Sequence, residues 1–321
     1  MADVRQLIAL CSHKRVYIQT HNFPDPDAIG SAYGLQRLLQ RYSIPTKICY
    51  DGEIDRVNTE KMLEQLNIEM LSAAEVEPEL REDDCIICVD SQKGGGNITD
   101  FTGDEIAAID HHPTYVNVPY RYSDFRKVGA CATIITQYYR DRDIKPDADV
   151  ATALIYGIKT DTMNFTRGVT EDDIAAFSYL LPLVDRQKLA LIEHSQLKFQ
   201  DLKAYGAAIE NGKIYGCFGF SHVPFPCPDA MVASLTDLFL SLVEVEVAVV
   251  YCTRQDGYKF SVRSERMDVD AGELIRRALE GLGNGGGHAT MAGGLIPAEN
   301  IPLLGNYPDN FLRERFLQAQ G

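Results

Sequence analysis

This chain is short of basic charge: its 321 residues carry 31 Lys and Arg against 46 Asp and Glu, a formal net charge of −15 at pH 7. A protein that tracks along a polynucleotide needs a basic groove to neutralise many phosphates, and no Lys/Arg-rich tract or basic helix face is present. Long nucleic acid is therefore not an expected partner, whereas a small phosphate-bearing ligand needs only a few cationic contacts and stays admissible. Also missing is any apolar run long enough to span a bilayer, and the first residues do not read as a signal peptide. These absences predict a soluble, cytoplasmic protein that does not engage membranes. Internal repeats and low-complexity tracts are lacking. Cys85 and Cys88 form a Cys-x-x-Cys, but no second pair follows to complete a zinc site, and both fall inside an apolar run. Cys11, Cys49, Cys131, Cys217 and Cys252 also lie in or beside apolar runs, where free cysteine behaves as a small hydrophobe. Burial is the expectation for the cysteines, not redox or metal chemistry.

What is present in the first half is an alternation of short apolar runs with helical patterns. Residues 15–20, 46–50, 84–89 and 105–109 read as strands, and 29–42 as a helix with apolar residues at helical spacing. Such alternation predicts an α/β fold, with a mostly parallel sheet and helices on both faces. Helices are then expected at about 129–141, 148–158 and 171–183. The stretch 185–210, mixed in charge and free of proline, suits a helical linker. Beyond it, strands at 213–220, 243–252 and 258–263 with helices at 230–242 and 271–282 predict a smaller C-terminal α/β or α+β domain. This gives a catalytic domain over 1–185, a linker over 186–210 and a substrate domain over 211–321.

Four acidic or histidine clusters recur along the first domain: His21-x-x-x-Asp25-x-Asp27, Asp90 closing an apolar run, Asp110-His111-His112, and Asp161 within Gly157-Ile158-Lys159-Thr160-Asp161-Thr162. Each sits at the end of a strand or helix, and in an open α/β sheet the crevice beyond the strand ends is where sites form. A lone Asp at such a place is ordinarily a turn former or a helix cap. Two carboxylates on a stiff Pro24-Asp25-Pro26-Asp27 loop, however, repel each other unless a cation offsets them. Carboxylates with imidazoles suit manganese, magnesium or zinc, and there are donors enough for two metals, which is the apparatus of phosphate-ester chemistry.

In their order and spacing these motifs resemble the DHH phosphoesterase family. Arg263-Ser264 followed by Gly285-Gly286-Gly287-His288 is similar to its DHH-associated C-terminal domain, and the short two-domain subfamily of nanoRNases, oligoribonucleases and cyclic-dinucleotide phosphodiesterases is the nearest match. The resemblance implies one metal on His21, Asp25 and Asp90 and a second on Asp27, Asp90, His111 and Asp161, with Asp90 bridging. It implies two divalent ions, manganese first with magnesium or cobalt as alternatives. It also implies that His112 contacts the substrate phosphate, that Asp110 orients His111 from behind, and that Arg263, Ser264, Gly285, Gly286, Gly287 and His288 grip the substrate. Met163 after Thr162, and Asn284 before the glycines, depart from the family pattern.

The expected function is a manganese-dependent phosphodiesterase that cleaves short oligonucleotides or signalling dinucleotides with metal-activated water, His112 and Asp90 being the catalytic pair. The alternatives are a polyphosphate or 3′,5′-bisphosphonucleotide phosphomonoesterase and, from another class, a catalytically silent nucleotide-binding sensor. Tyr115, Tyr120, Tyr122 and Phe125 supply aromatics for a base or for the core. A homodimer is left open.

Overall fold

Uninterrupted apolar runs make the central strands, because a strand covered on both faces needs no polar alternation. In the computed structural model, which describes residues 2–54, 57–194, 197 and 199–320, the chain divides into two compact units, residues 1–196 and 197–321.

The first unit runs α1 (Val4–Cys11), β1 (Val16–Gln19), α2 (Pro26–Gln40), β2 (Thr46–Tyr50), α3 (Val57–Leu66), β3 (Leu71–Ser72), α4 (Ala73–Val76), β4 (Cys85–Val89), β5 (Asp104–Asp110), β6 (Tyr122–Phe125), α5 (Cys131–Asp141), α6 (Ala148–Asp161), α7 (Glu171–Leu180) and α8 (Arg186–His194). Its six strands are all parallel, in the order β3-β2-β1-β4-β5-β6. The order reverses between β1 and β4, the position at which a doubly wound sheet opens a crevice at its carboxyl edge. Every residue of β1 and β4 is buried. β6, which periodicity did not disclose, alternates buried Tyr122 and Asp124 with exposed Ser123 and Phe125, as an edge strand should.

The larger core lies on the face covered by α2, α5 and α6, with Leu35, Leu38, Ile135 and Leu154 at its centre. A smaller cluster on the other face gathers Tyr17, Ile86 and Cys88 beneath Ala73 of α4 and loop residues Ile98 and Phe101. Cys85 belongs to the first cluster and Cys88 to the second, so these cysteines point to opposite faces of the sheet, as an i, i+3 pair on a strand must. All eight cysteines are free, and all but the half-buried Cys217 are buried.

The second unit runs α9 (Leu202–Glu210), β7 (Lys213–Tyr215), β8 (Phe218–Val223), α10 (Asp229–Leu240), β9 (Val247–Arg254), β10 (Gly257–Ser264), α11 (Ala271–Ala278), β11 (Asn284–Gly287), β12 (Met291–Pro297) and α12 (Pro308–Gln318). Its sheet, β11-β12-β10-β9-β8-β7, is antiparallel except where β8 and β9 pair in parallel around α10. The strand expected over 213–220 is a hairpin: Gly216, at φ +63°, turns the chain so that Tyr215 pairs with Phe218. The glycine run is a strand as well, Gly285 facing Gly294 and Gly286 facing Gly293. A side chain at Gly285 would meet Ile275 at 2.9 Å, so the bare backbone there serves the close seating of α11.

Of the stretch expected to link the domains, α8 packs with the first unit, through buried Ile192 and the Lys188–Asp149 ion pair at 2.6 Å. α9 packs with the second through Ala204 and Ala208. Residues 195, 196 and 198 of that stretch lie outside the described residues. No helix among the described residues is long and apolar enough to cross a membrane.

Candidate metal centre

The reversal of strand order gathers the four clusters of the first unit. His21 follows β1, Asp25 caps α2, Asp27 opens that helix, Asp90 follows β4, Asp110 ends β5, and Asp161 ends α6. Three groups of side chains form there, His21 with Asp25 and Asp90, Asp27 with His111 and Asp161, and Asp90 with Asp110, His111 and His112, the donor atoms of each lying within 4.8 Å of one another. Asp90 stands in two of the three.

Three of the donors, His21, His111 and Asp27, are held from behind. His21 donates Nδ1–H to the carbonyl of Asn22 at 2.8 Å, and His111 donates Nδ1–H to the carbonyl of Val128 at 3.0 Å. Both rings therefore present Nε2 to carboxylates. His21 Nε2 lies 3.8 Å from Asp25 and 3.7 Å from Asp90. His111 Nε2 lies 3.1 Å from Asp161, 3.3 Å from Asp90 and 4.0 Å from Asp27. Asp27, fully buried, accepts the backbone N–H groups of Cys131 at 2.7 Å and Ala132 at 2.9 Å, the first two residues of α5, where the helix dipole favours an anion. Asp173, also missed in the sequence, fixes that helix start by accepting from Gly129 N–H at 2.8 Å and the Thr133 hydroxyl at 2.6 Å.

Asp90 has φ +58°, a left-handed conformation that Asp tolerates better than most residues and that frequently marks a functional position. Burial, then the Asp25 charge, raises its pKa. Burial, then Asp90, holds Asp27 well above the usual carboxylate range. Burial opposes charge on the two histidines, yet Asp161 and Asp90 push His111 up to about 12, and Asp25 and Asp90 push His21 up to about 9. Asp90 Oδ1 and His111 Nε2 are buried and make no well-aligned hydrogen bond, although they face each other at 3.3 Å. Buried polar atoms are seldom left so. A hard oxygen and an imidazole nitrogen, both unsatisfied and surrounded by further carboxylates, are the donor set of a divalent cation.

One expected partnership is replaced. The ring behind which Asp110 stands is that of His112, not His111: Asp110 Oδ1 accepts from His112 Nδ1 at 2.8 Å, Oδ2 accepts from Gln92 Nε2 at 2.8 Å, and His111 gives it only its backbone N–H. The reason is that the Val128 carbonyl already occupies Nδ1 of His111. The Asp110 contact raises the pKa of His112, whose side chain is half exposed. Arg167, which the motifs did not single out, donates to the Asp161 carbonyl at 2.9 Å and lies 3.5 Å from its carboxylate. The turn that carries it has three successive left-handed residues, Met163, Asn164 and Phe165.

The candidate grip residues lie in the second unit. Arg263 pairs with Asp237 of α10 at 2.8 Å, Ser264 is buried, and His288 is exposed just after β11. The register puts Arg263 opposite Met291, and Ser264 N–H bonds the Thr290 carbonyl at 3.0 Å, so Arg263, Ser264 and His288 share one end of the sheet. Among the aromatics after Asp110-His111-His112, Tyr122 is buried with its hydroxyl on Tyr138, Tyr120 accepts from Lys93 N–H, and Tyr115 is exposed.

A doubly wound parallel sheet with acidic and imidazole donors at its switch point, joined to a mixed-sheet domain, defines the class. Residues 15–158 match the DHH family, N-terminal domain, and residues 222–314 match the DHHA1 domain. The chain belongs to the DHH phosphoesterase family. It is 26% identical over 307 residues to the cyclic-di-AMP phosphodiesterase GdpP of Geobacillus thermodenitrificans, covering 90% of this chain and 45% of that protein. It is 27% identical over 293 residues to the bifunctional oligoribonuclease and PAP phosphatase NrnA of Thermus thermophilus, covering 88% of this chain and 84% of that protein. An exopolyphosphatase-related protein from Bacteroides fragilis shares the fold, with a TM-score of 0.76 at 18% identity over 99% of this chain and 97% of that one. The chain spans about half the length of several curated relatives it matches.

Proposed function

We propose that this protein is a divalent-cation-dependent phosphodiesterase acting on short oligonucleotides or dinucleotides. The observation that carries the reading is the pair of unsatisfied buried atoms, Asp90 Oδ1 and His111 Nε2, set among Asp27, Asp161, Asp25 and His21. His21, Asp25 and Asp90 would hold one cation and Asp27, Asp90, His111 and Asp161 a second, manganese being the first choice. When bound, such a pair supplies an acidified water and neutralises charge on phosphoryl oxygens. The chain's own part is positioning and proton placement. Asp110 keeps a proton on His112 Nδ1 and favours the imidazolium, so that Nε2–H can donate to a phosphoryl or leaving oxygen. The Val128 and Asn22 carbonyls keep the Nε2 lone pairs of His111 and His21 free for cations.

In the second unit, Arg263 and His288 would contact a substrate phosphate beside the glycine strand, with Ser264 buried behind them, and Arg263 would have to share its guanidinium with Asp237. A linear dinucleotide, a cyclic dinucleotide, adenosine 3′,5′-bisphosphate and polyphosphate, each offered with manganese, test the reading. Faster turnover of the two diesters is expected. Preference for the bisphosphate or polyphosphate would replace it with a phosphomonoesterase.

A further inference from the structure

Phe23 stands between the first metal-ligand candidates, two residues after His21 and two before Asp25, and has φ +57°. For a bulky residue a left-handed backbone is an outlier, held only where the surroundings over-determine it. Here they do. Phe23 N–H bonds the Asp51 carbonyl at 2.8 Å and Asn22 N–H bonds the Asn97 carbonyl at 2.7 Å. The Asn22 side chain accepts from Thr99 N–H at 3.1 Å, and the Thr99 hydroxyl donates to Asp51 at 2.5 Å. Three loops are thus welded at the base of the turn. A turn of this kind asks for glycine or asparagine, and an aromatic side chain adds nothing to it.

Nor does the ring serve the core. It is 66% exposed and belongs to none of the hydrophobic clusters. Its underside is seated: a Cβ at Gly52, itself at φ +84°, would fall 2.8–2.9 Å from three ring carbons. Gly52 therefore gives the ring a flat bed of backbone, leaving the rest of it to solvent on the loop that carries His21 and Asp25.

We propose that Phe23 is a stacking platform for a nucleobase of the substrate. The proposal rests on the phosphodiesterase reading and narrows it to nucleotide substrates, because polyphosphate has no π-face to offer. Base–aromatic stacking is largely indifferent to base identity. The platform thus selects for the presence of a base and not for its sequence.

The chain contains no tryptophan, so Phe23→Trp installs a single indole at the proposed contact, excited selectively at wavelengths beyond tyrosine absorption. Metal-loaded Phe23→Trp protein is titrated with a phosphorothioate-linked dinucleotide and with its abasic counterpart. Quenching by the first and not the second is expected; equal quenching, or none with the dinucleotide, overturns the proposal. In parallel, Phe23→Ala should raise KM for the dinucleotide about tenfold to a hundredfold, while kcat and turnover of the abasic diester stay within about twofold of the parent. An unchanged KM overturns the proposal as well, and should Phe23→Ala shed its metals, the tryptophan titration decides alone. A parent that hydrolyses neither diester while base-dependent quenching persists sinks the enzyme reading and leaves the platform standing. A parent that hydrolyses both equally well, with equal KM, does the reverse.

Discussion

Asp90→Asn separates what this carboxylate costs the fold from what it gives the site. Asparagine preserves the shape and tolerates φ +58°, but removes the charge. Without a cation, Asp90 Oδ1 is buried with no well-aligned hydrogen bond, and burial with the Asp25 charge raises the group's pKa even against the pull of His111 at 3.3 Å. The folded state therefore binds the proton more tightly than the unfolded chain, and ionisation at neutral pH costs stability. Replacing the buried carboxylate by a neutral amide relieves a desolvation penalty of about 1–3 kcal/mol. At about 2–4 °C per kcal/mol for a domain of this size, the chelator-treated variant should melt roughly 2–12 °C above the parent. Metal acts in the opposite direction. A ligand at a hundred times its Kd stabilises the parent by about 2.7 kcal/mol, roughly 5–11 °C on the same scale, and should move the variant little. Differential scanning calorimetry in chelator and in excess manganese reads both numbers. Should Asp90→Asn melt below the parent in chelator, or gain the same increment from manganese, the reasoning fails.

Gly157→Ala would place a Cβ 2.9 Å from Asp27 Oδ1 and 3.0 Å from Asp27 Cα. An overpacking cost of about 1–3 kcal/mol and weaker metal binding are expected, checked by thermal melts and a manganese titration; unchanged affinity would mean that Asp27 is not a ligand. Asp110→Asn should lower kcat by about tenfold to a hundredfold at unchanged metal content, since it loosens the His112 ring while His111 Nδ1 stays on the Val128 carbonyl; stopped-time assays with metal analysis decide. Arg263→Ala should leave metal content intact and depress activity on dinucleotides by about tenfold to a hundredfold, sparing a minimal aryl diester. Proportionate loss on both substrates would place Arg263 at the reacting phosphorus.

The central strands and the donor cluster were readable because each rests on a strong local signal: unbroken apolar runs for β1 and β4, and polar residues abruptly closing such runs at His21, Asp90 and Asp110. Which ring Asp110 supports was not readable. That choice depends on the Val128 carbonyl having taken His111 Nδ1, a contact 17 residues away in the chain. Asp27's bond to the start of α5 spans more than a hundred residues and leaves no local trace either. Gly285-Gly286-Gly287 reads as a loop by composition, yet it is a strand, because pairing with β12 and the approach of α11 ask for bare backbone more than for β propensity. Phe23 went unnoticed for a simpler reason: hydrophobic pattern alone cannot tell an exposed aromatic from a buried one.

The most direct test of the account is to strip the protein of metal and follow dinucleotide hydrolysis as manganese is restored, with bound metal measured in the same samples. Activity should be absent in chelator and rise to saturation as two equivalents bind, with Asp90→Asn binding neither tightly. Undiminished hydrolysis by the stripped protein, or saturation of activity with no metal retained at the cluster, would contradict it.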